Sequence, residues 1–264
     1  LLFMQDYLGS DFNIVFWSLG VEEKFYIAAP LIVLLLMKIR SARLALLCVA
    51  LFMLASPVMR WLGFEGASAL AYTDYFPQLR SPFHMTTDPL VAGVAIALLH
   101  HIGVRLSEPV AKALLVVSGL VMLIFLCAAP YMSEVTRLEA SLVPLVLALG
   151  FGAMVYAATC LTAAPSHWLE RPARITARLS YTLYLVHYPL VPLSLVVAIA
   201  WPTPLVATFI VTYLAISFLA AGLLHFLVEK PFLRLKDRKP RAADRAATSN
   251  LLSPVPNKPA RSHD

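Results

Sequence analysis

Apolar residues run along this chain in long blocks separated by short polar or basic segments. They do not follow the three-and-four spacing of a helix that buries one face. A helix needs about 20 consecutive apolar residues to cross a bilayer. Blocks at about 17–38, 44–64, 84–103, 113–131, 141–163, 179–200 and 205–228 therefore predict about seven transmembrane helices. The expected fold is all-α, a polytopic integral membrane helical bundle over residues 1–235. The segment 236–264, rich in Lys, Arg, Pro, Ala and Ser, has too little apolar content to fold and is expected to be a disordered basic tail.

Two polar interruptions stand out. The first span opens with WSLGVEEKFYIAAP. Ser18, Glu22, Tyr26 and Pro30 recur every four residues and form one helical stripe, with Glu23 beside it. Trp17 marks the membrane interface, where indole rings collect. Glu22 and Glu23 then lie about 8 Å further in, in the outer part of the hydrocarbon; at the helix centre an acidic side chain costs roughly 2.5–3.5 kcal/mol on insertion scales. An attraction to the positive end of the helix dipole, with Lys24 snorkelling outward, explains one glutamate better than two. An internal polar cavity explains both. The second interruption, SYTLYLVHYP, places Ser180, Tyr184 and His187 on one face, with Tyr181 and Tyr188 at its flank. His187 falls about 13 Å in from Arg178. A buried histidine is often a hydrogen-bonded packing residue; it is also the usual base for a hydroxyl near neutral pH. Asp88 opens the third span, where a plain N-cap explains it equally well. His100 and His101 close that span as interfacial residues, and Pro231 is expected to end the last one.

Composition agrees with the bilayer reading. The 264 residues are 60% hydrophobic and 14% charged, with mean hydropathy +0.77, against roughly 25% charged in a soluble domain. Seventeen of the 21 lysines and arginines fall on alternate loops and the tail, and only Arg60, Arg80 and Arg137 on the opposite side. The positive-inside rule places the first set, and the C-terminus, in the cytoplasm. The net charge of +6 is thereby assigned to topology and anionic lipid, with no nucleic-acid partner. Cys48, Cys127 and Cys160 lie in separate spans and are expected to pack, and no metal-ligand spacing is present. Residue 1 falls outside, yet LLFMQDYLGSDFN has no signal-peptide features. Further residues are expected to precede it.

The stretch from Trp17 to Tyr26 with Pro30, the segment SYTLYLVHYPL at 180–190 and VEKPF at 228–232 resemble three motifs of the membrane acyltransferase 3 family, in that family's order. Lys24 stands in place of a usual glutamine, Val186 and Tyr188 in place of tryptophans, and Thr86-Thr87 precede Asp88 in place of a basic and an apolar residue. The resemblance implies a bacterial inner-membrane O-acyltransferase that uses cytoplasmic acyl-CoA, with acetyl as the expected group, and has no tightly bound cofactor. Its acceptor would be a hydroxyl of a surface carbohydrate or glycolipid. It implies catalytic roles for Glu22, Glu23 and His187, and acceptor binding by Trp17, Ser18, Tyr26, Asp88, Ser180, Tyr181 and Tyr184. The family's earlier helices, with a histidine and a paired-arginine motif, have no counterpart here, so this chain alone is expected to be an incomplete, inactive member. A proton-coupled transporter or a non-catalytic truncated member is the alternative.

Overall fold

The computed structural model describes residues 3–9, 13–65, 68–128, 134–162, 167–201 and 204–238. The chain divides into two compact units, Leu1–Arg171 and Pro172–Asp264.

In the first unit a short helix α1 (Gln5–Leu8) precedes α2 (Phe16–Met37) and α3 (Ala42–Leu62). Strand β1 (Ala69–Ala71) then leads through α4 (Tyr72–Tyr75), a π-helical turn (Phe76–Arg80) and a 3-10 turn (Phe83–Met85) to α5 (Asp88–His101). Helix α6 (Glu108–Ala128), strand β2 (Glu134–Thr136) and α7 (Arg137–Cys160) complete it. Helices α3, α5 and α7 pack together around Val49, Met53, Val91, Ala92 and Ala148. Their inward positions include Ala45, Ala92, Ala140 and Ala148, while Leu47, Leu51 and Leu149 lie exposed on the outside. In water such a surface would drive aggregation; in lipid it is the expected arrangement, because close helix approach depends on small residues.

The two strands pair antiparallel, with Leu70 opposite Val135. They close one end of the bundle over a second cluster of Phe64, Tyr75, Leu79, Val135 and Ala140. Helix α7 begins directly after β2 with a capping box: the Thr136 hydroxyl accepts from Glu139 N–H, and Glu139 accepts from Thr136 N–H. At the other end Ala111, Tyr156 and Cys160 pack together. There Cys160 is buried, whereas Cys48 is half-buried and Cys127 exposed.

In the second unit α8 (His167–Val186), which starts just before it, is followed by α9 (Leu190–Ala200), α10 (Leu205–Leu224), a π-helical turn (His225–Glu229) and α11 (Lys230–Arg238). The small buried residues Ser194 and Ala198 of α9, and Ser217 and Ala221 of α10, lie one turn apart on each helix.

Four described helices are long and apolar enough to cross a membrane, or five if the bent α8–α9 pair is one span. The protein is thus a helical, multi-pass membrane bundle, and three of the seven expected spans take a different form. Helix α2 has 22 residues, but Glu22, Glu23 and Lys24 interrupt its apolar run. The expected 84–103 span is a 14-residue helix, because residues 83–85 form a separate 3-10 turn. The expected 179–200 span is bent by 89° between Val186 and Leu190. Pro189 disfavours helical geometry at Tyr188, so His187, Tyr188 and Pro189 form a turn. Pro231, by contrast, does not stop the last helix. Its ring would clash with the carbonyl four residues back, and the widened π turn immediately before it lets the chain continue to Arg238. Of the tail expected to be disordered, residues 239–264 lie outside the described set.

Candidate functional site

Helix α2 begins at Phe16 without an acidic residue in its first turn. Glu22 is one turn further on, beyond the reach of the helix dipole, which fades within the first turn. Helix α1 lies across this part of α2 because position 20 is glycine: a Cβ there would come within 2.8 Å of the Phe3 carbonyl oxygen. Lys24 donates to the fully buried Asp6 carboxylate and, at 2.9 Å, to the Phe3 carbonyl, with its ammonium over the Tyr7 ring. The lysine thus turns back towards α1. Burial and the Asp6 carboxylate push the Tyr7 phenol above its ordinary pKa, against the opposing effect of its His84 contact.

With Lys24 occupied, the Glu22 face is open. Glu22, Phe25 and Tyr26 of α2 form one wall of a groove of about 840 Å³. Pro89, Leu90, Gly93, Val94 and Ala97 of α5 line the other wall, and Arg40 and His101 lie at the far end. Glu22 and Met37, both in the lining, are about 22 Å apart along the helix. Glu22 is therefore the acidic group at one end of a mostly apolar passage whose other end is basic. Gly93 has open space where a Cβ would project, which widens the passage at mid-length. Pro30, on the same stripe, cannot supply the N–H that would otherwise pair with the Tyr26 carbonyl.

The other sequence candidates divide. Glu23 is exposed and does not line the groove. Ser18 donates to the Val15 carbonyl at 3.4 Å. Trp17 packs edge-on against Phe76, with the Arg80 guanidinium 4.9 Å above its ring. Asp88 is no N-cap: Thr87 holds that position, and Asp88 is the first helical residue. It is fully buried and accepts two hydrogen bonds from the equally buried Arg60, at 3.1 and 3.0 Å. Arg60 also donates to the carbonyls of Met85 and Ser141. The interfacial histidines part company as well. His100 bonds the Thr159 hydroxyl at 2.8 Å and packs on Tyr156, whereas His101 faces the groove.

In the second unit His187 sits in the turn after α8, with Nδ1 2.7 Å from the Tyr184 carbonyl. A carbonyl only accepts, so this contact requires a proton on Nδ1. The Tyr184 ring lies 5.6 Å from the imidazole. Ser180 donates to the Ala177 carbonyl at 2.9 Å; both it and Tyr181 are exposed. The expected stripe is thus interrupted: Tyr184 and His187 meet at the bend, and Ser180 does not join them. Among the described residues no group of three or more His, Cys, Asp or Glu side chains converges as a metal site would require.

The family model for an acyltransferase domain, acyltransferase 3, matches residues 3–225. The chain belongs to the acyltransferase 3 family. That match spans the groove, the Arg60–Asp88 pair and the His187 turn, so all three are features of an acyltransferase domain. No curated protein and no solved structure matches this acyltransferase. Sequence reasoning passed over Arg40 and His101 as groove residues. Their one signal was position, since each is a basic residue at the same end of the two helices that form the walls.

Proposed function

We propose that this acyltransferase moves an acyl group, with acetyl the simplest, from acyl-CoA to a hydroxyl of a carbohydrate or glycolipid acceptor. The groove, acidic at Glu22 and basic at Arg40 and His101, carries the reading. The charge asymmetry of the loops supports a cytoplasmic position for the Arg40 end and an inner-membrane location. An anionic donor would then meet Arg40 and His101, its thioester arm would lie along the apolar walls, and the acceptor would approach from the Trp17 end.

In the transfer step the acceptor oxygen attacks the thioester carbonyl carbon, a C–O bond forms and the C–S bond breaks. A base takes the hydroxyl proton, and a proton returns to the leaving thiolate. Glu22 is placed to accept a hydrogen bond from the attacking hydroxyl. Glu23, on the outward flank, is assigned to acceptor approach. His187, with Nδ1 against the Tyr184 carbonyl, is the alternative proton acceptor. Ser18 and Tyr26 border the acceptor path. Ser180 and Tyr181 remain proposals for acceptor contact beside His187, as does Tyr184 packed on its ring.

The test is transfer of radiolabelled acetyl from acetyl-CoA to endogenous membrane glycans by cells producing the complete protein. Glu22→Gln, which keeps size and removes the charge, is expected to reduce transfer at least about 100-fold, the usual scale for a positioned proton acceptor. Transfer at the wild-type rate by Glu22→Gln would remove the site, and label that crosses the membrane without becoming ester-linked would favour the transporter reading.

A further inference from the structure

The segment between β1 and α5 builds a second surface, at the Trp17 end of the first unit. Tyr75 and Leu79 point into the core at 4% and 1% exposure. Their neighbours Tyr72, Phe76 and Arg80, four residues apart, share the adjoining face, and the Tyr72 ring also lies 5.8 Å from that of Tyr75. One contact within this face and two to Trp17 of α2 form a row. The Tyr72 and Phe76 rings are 6.0 Å apart and tilted by 37°. Phe76 meets Trp17 edge-on at 5.6 Å, and Arg80 covers Trp17. Arg80 is held in turn by the Thr86 hydroxyl, and Thr86 is buried. The strand pair beneath fixes where the segment starts, because Ala71 pairs with Glu134 immediately before Tyr72. The row is therefore held at both ends, and it runs directly to the start of the α2 stripe; Trp17 is about 7.5 Å along the helix from Glu22.

The chemistry of this row is mixed. Tyr72 is 42% exposed, and Thr73, Asp74 and Gln78 around it are also exposed. Aromatic faces bordered by a guanidinium, a carboxylate and amide and hydroxyl groups suit a ligand with one apolar C–H face and a rim of hydroxyls. A pyranose has that form. A lipid tail offers no groups for the polar rim, and a single interfacial anchor needs no row of rings fixed by an arginine. We propose that Tyr72, Phe76, Trp17 and Arg80 form a carbohydrate-binding platform that seats pyranose units of the acceptor ahead of the groove. Its place in the reaction rests on the acyltransferase reading above. The binding itself does not.

The test is saturation-transfer NMR on the protein in phosphatidylcholine nanodiscs, free of sugar-based detergent and of any acyl donor, with maltohexaose and chitohexaose as probes. Transfer to pyranose C–H protons is expected with at least one hexasaccharide. Tyr72→Ala/Phe76→Ala should weaken that binding at least about tenfold, as loss of anchoring rings does, and Tyr72→Phe should retain it. Equal binding by the double alanine variant, or no transfer to either probe by folded wild-type protein, would overturn the platform and leave the rings as membrane-interface anchors. Because no donor is present, the two readings separate. A platform that binds in a protein that acylates nothing keeps this inference and removes the enzymatic one. Acylation of glycans by a protein that binds neither probe does the reverse.

Discussion

Removing the carboxylate of Asp88 should cost this protein more than any other single polar substitution in the first unit. Both Asp88 and Arg60 have side chains with no exposure. The guanidinium makes two bonds to the carboxylate and two more to the carbonyls of Met85 and Ser141. Its Nε is buried with no partner among the described residues, so the group already carries one unsatisfied donor. Asp88→Ala would leave a buried cation facing two carbonyls and a void, and breaking a buried pair from one side costs about 3–5 kcal/mol. At about 2–4 °C per kcal/mol for a unit of this size, the unfolding midpoint should fall by about 6–20 °C. Tryptophan emission during heating in nanodiscs would read it. The decisive companion is Arg60→Met/Asp88→Leu, which removes both charges and fills the space. It should recover at least half the loss, because well-packed apolar residues replace a buried ion pair at little or no cost. A midpoint for Asp88→Ala within about 2 °C of wild type, or a double variant as unstable as the single, would refute the pairing.

Two further substitutions test the packing. A Cβ at Gly150 of α7 would collide with the Met122 side chain of α6, so Gly150→Ala should destabilise by about 1–3 kcal/mol, and Gly150→Ala/Met122→Ala should recover part of it; equal midpoints for Gly150→Ala and wild type would contradict the close approach. Ser217 on α10 is 3% exposed and its hydroxyl is buried without a partner among the described residues, so Ser217→Ala should be neutral or stabilising by up to about 1 kcal/mol, and a clear loss on heating would mean that the hydroxyl is paired.

The helices were legible because the bilayer demands apolar length, which composition reports directly. The α2 stripe was legible for a similar reason: charges inside an apolar run are conspicuous. The features that eluded the sequence depend on partners far along the chain. Arg60 read as a loop cation, but it lies at the end of the α3 stripe Ala45, Val49, Met53 and Ser56, all buried. Its partner is 28 residues away, at no spacing a helical wheel could show. Pro189 and Pro231 carried the same local signal and gave opposite outcomes. One follows a helix that can end and turn, and the other follows a π turn that absorbs it. The row of Tyr72, Phe76 and Arg80 spans a change from α to π geometry, so its alignment was not readable from α-helical spacing alone.

The Arg60 cluster also sets an order of assembly during synthesis. Arg60 leaves the ribosome 28 residues ahead of Asp88 and 81 residues ahead of the Ser141 carbonyl. Until α5 follows, Arg60 is a lone cation near the end of a nascent span, where its long side chain can reach the headgroups. Full burial has to wait for α5, and the last of its bonds for α7. The contacts of α3 are complete only once α7, which also brings β2 to β1, is present. A chain interrupted before residue 88 would leave Arg60 without its carboxylate, whereas one interrupted between 88 and 141 would lack only the Ser141 carbonyl.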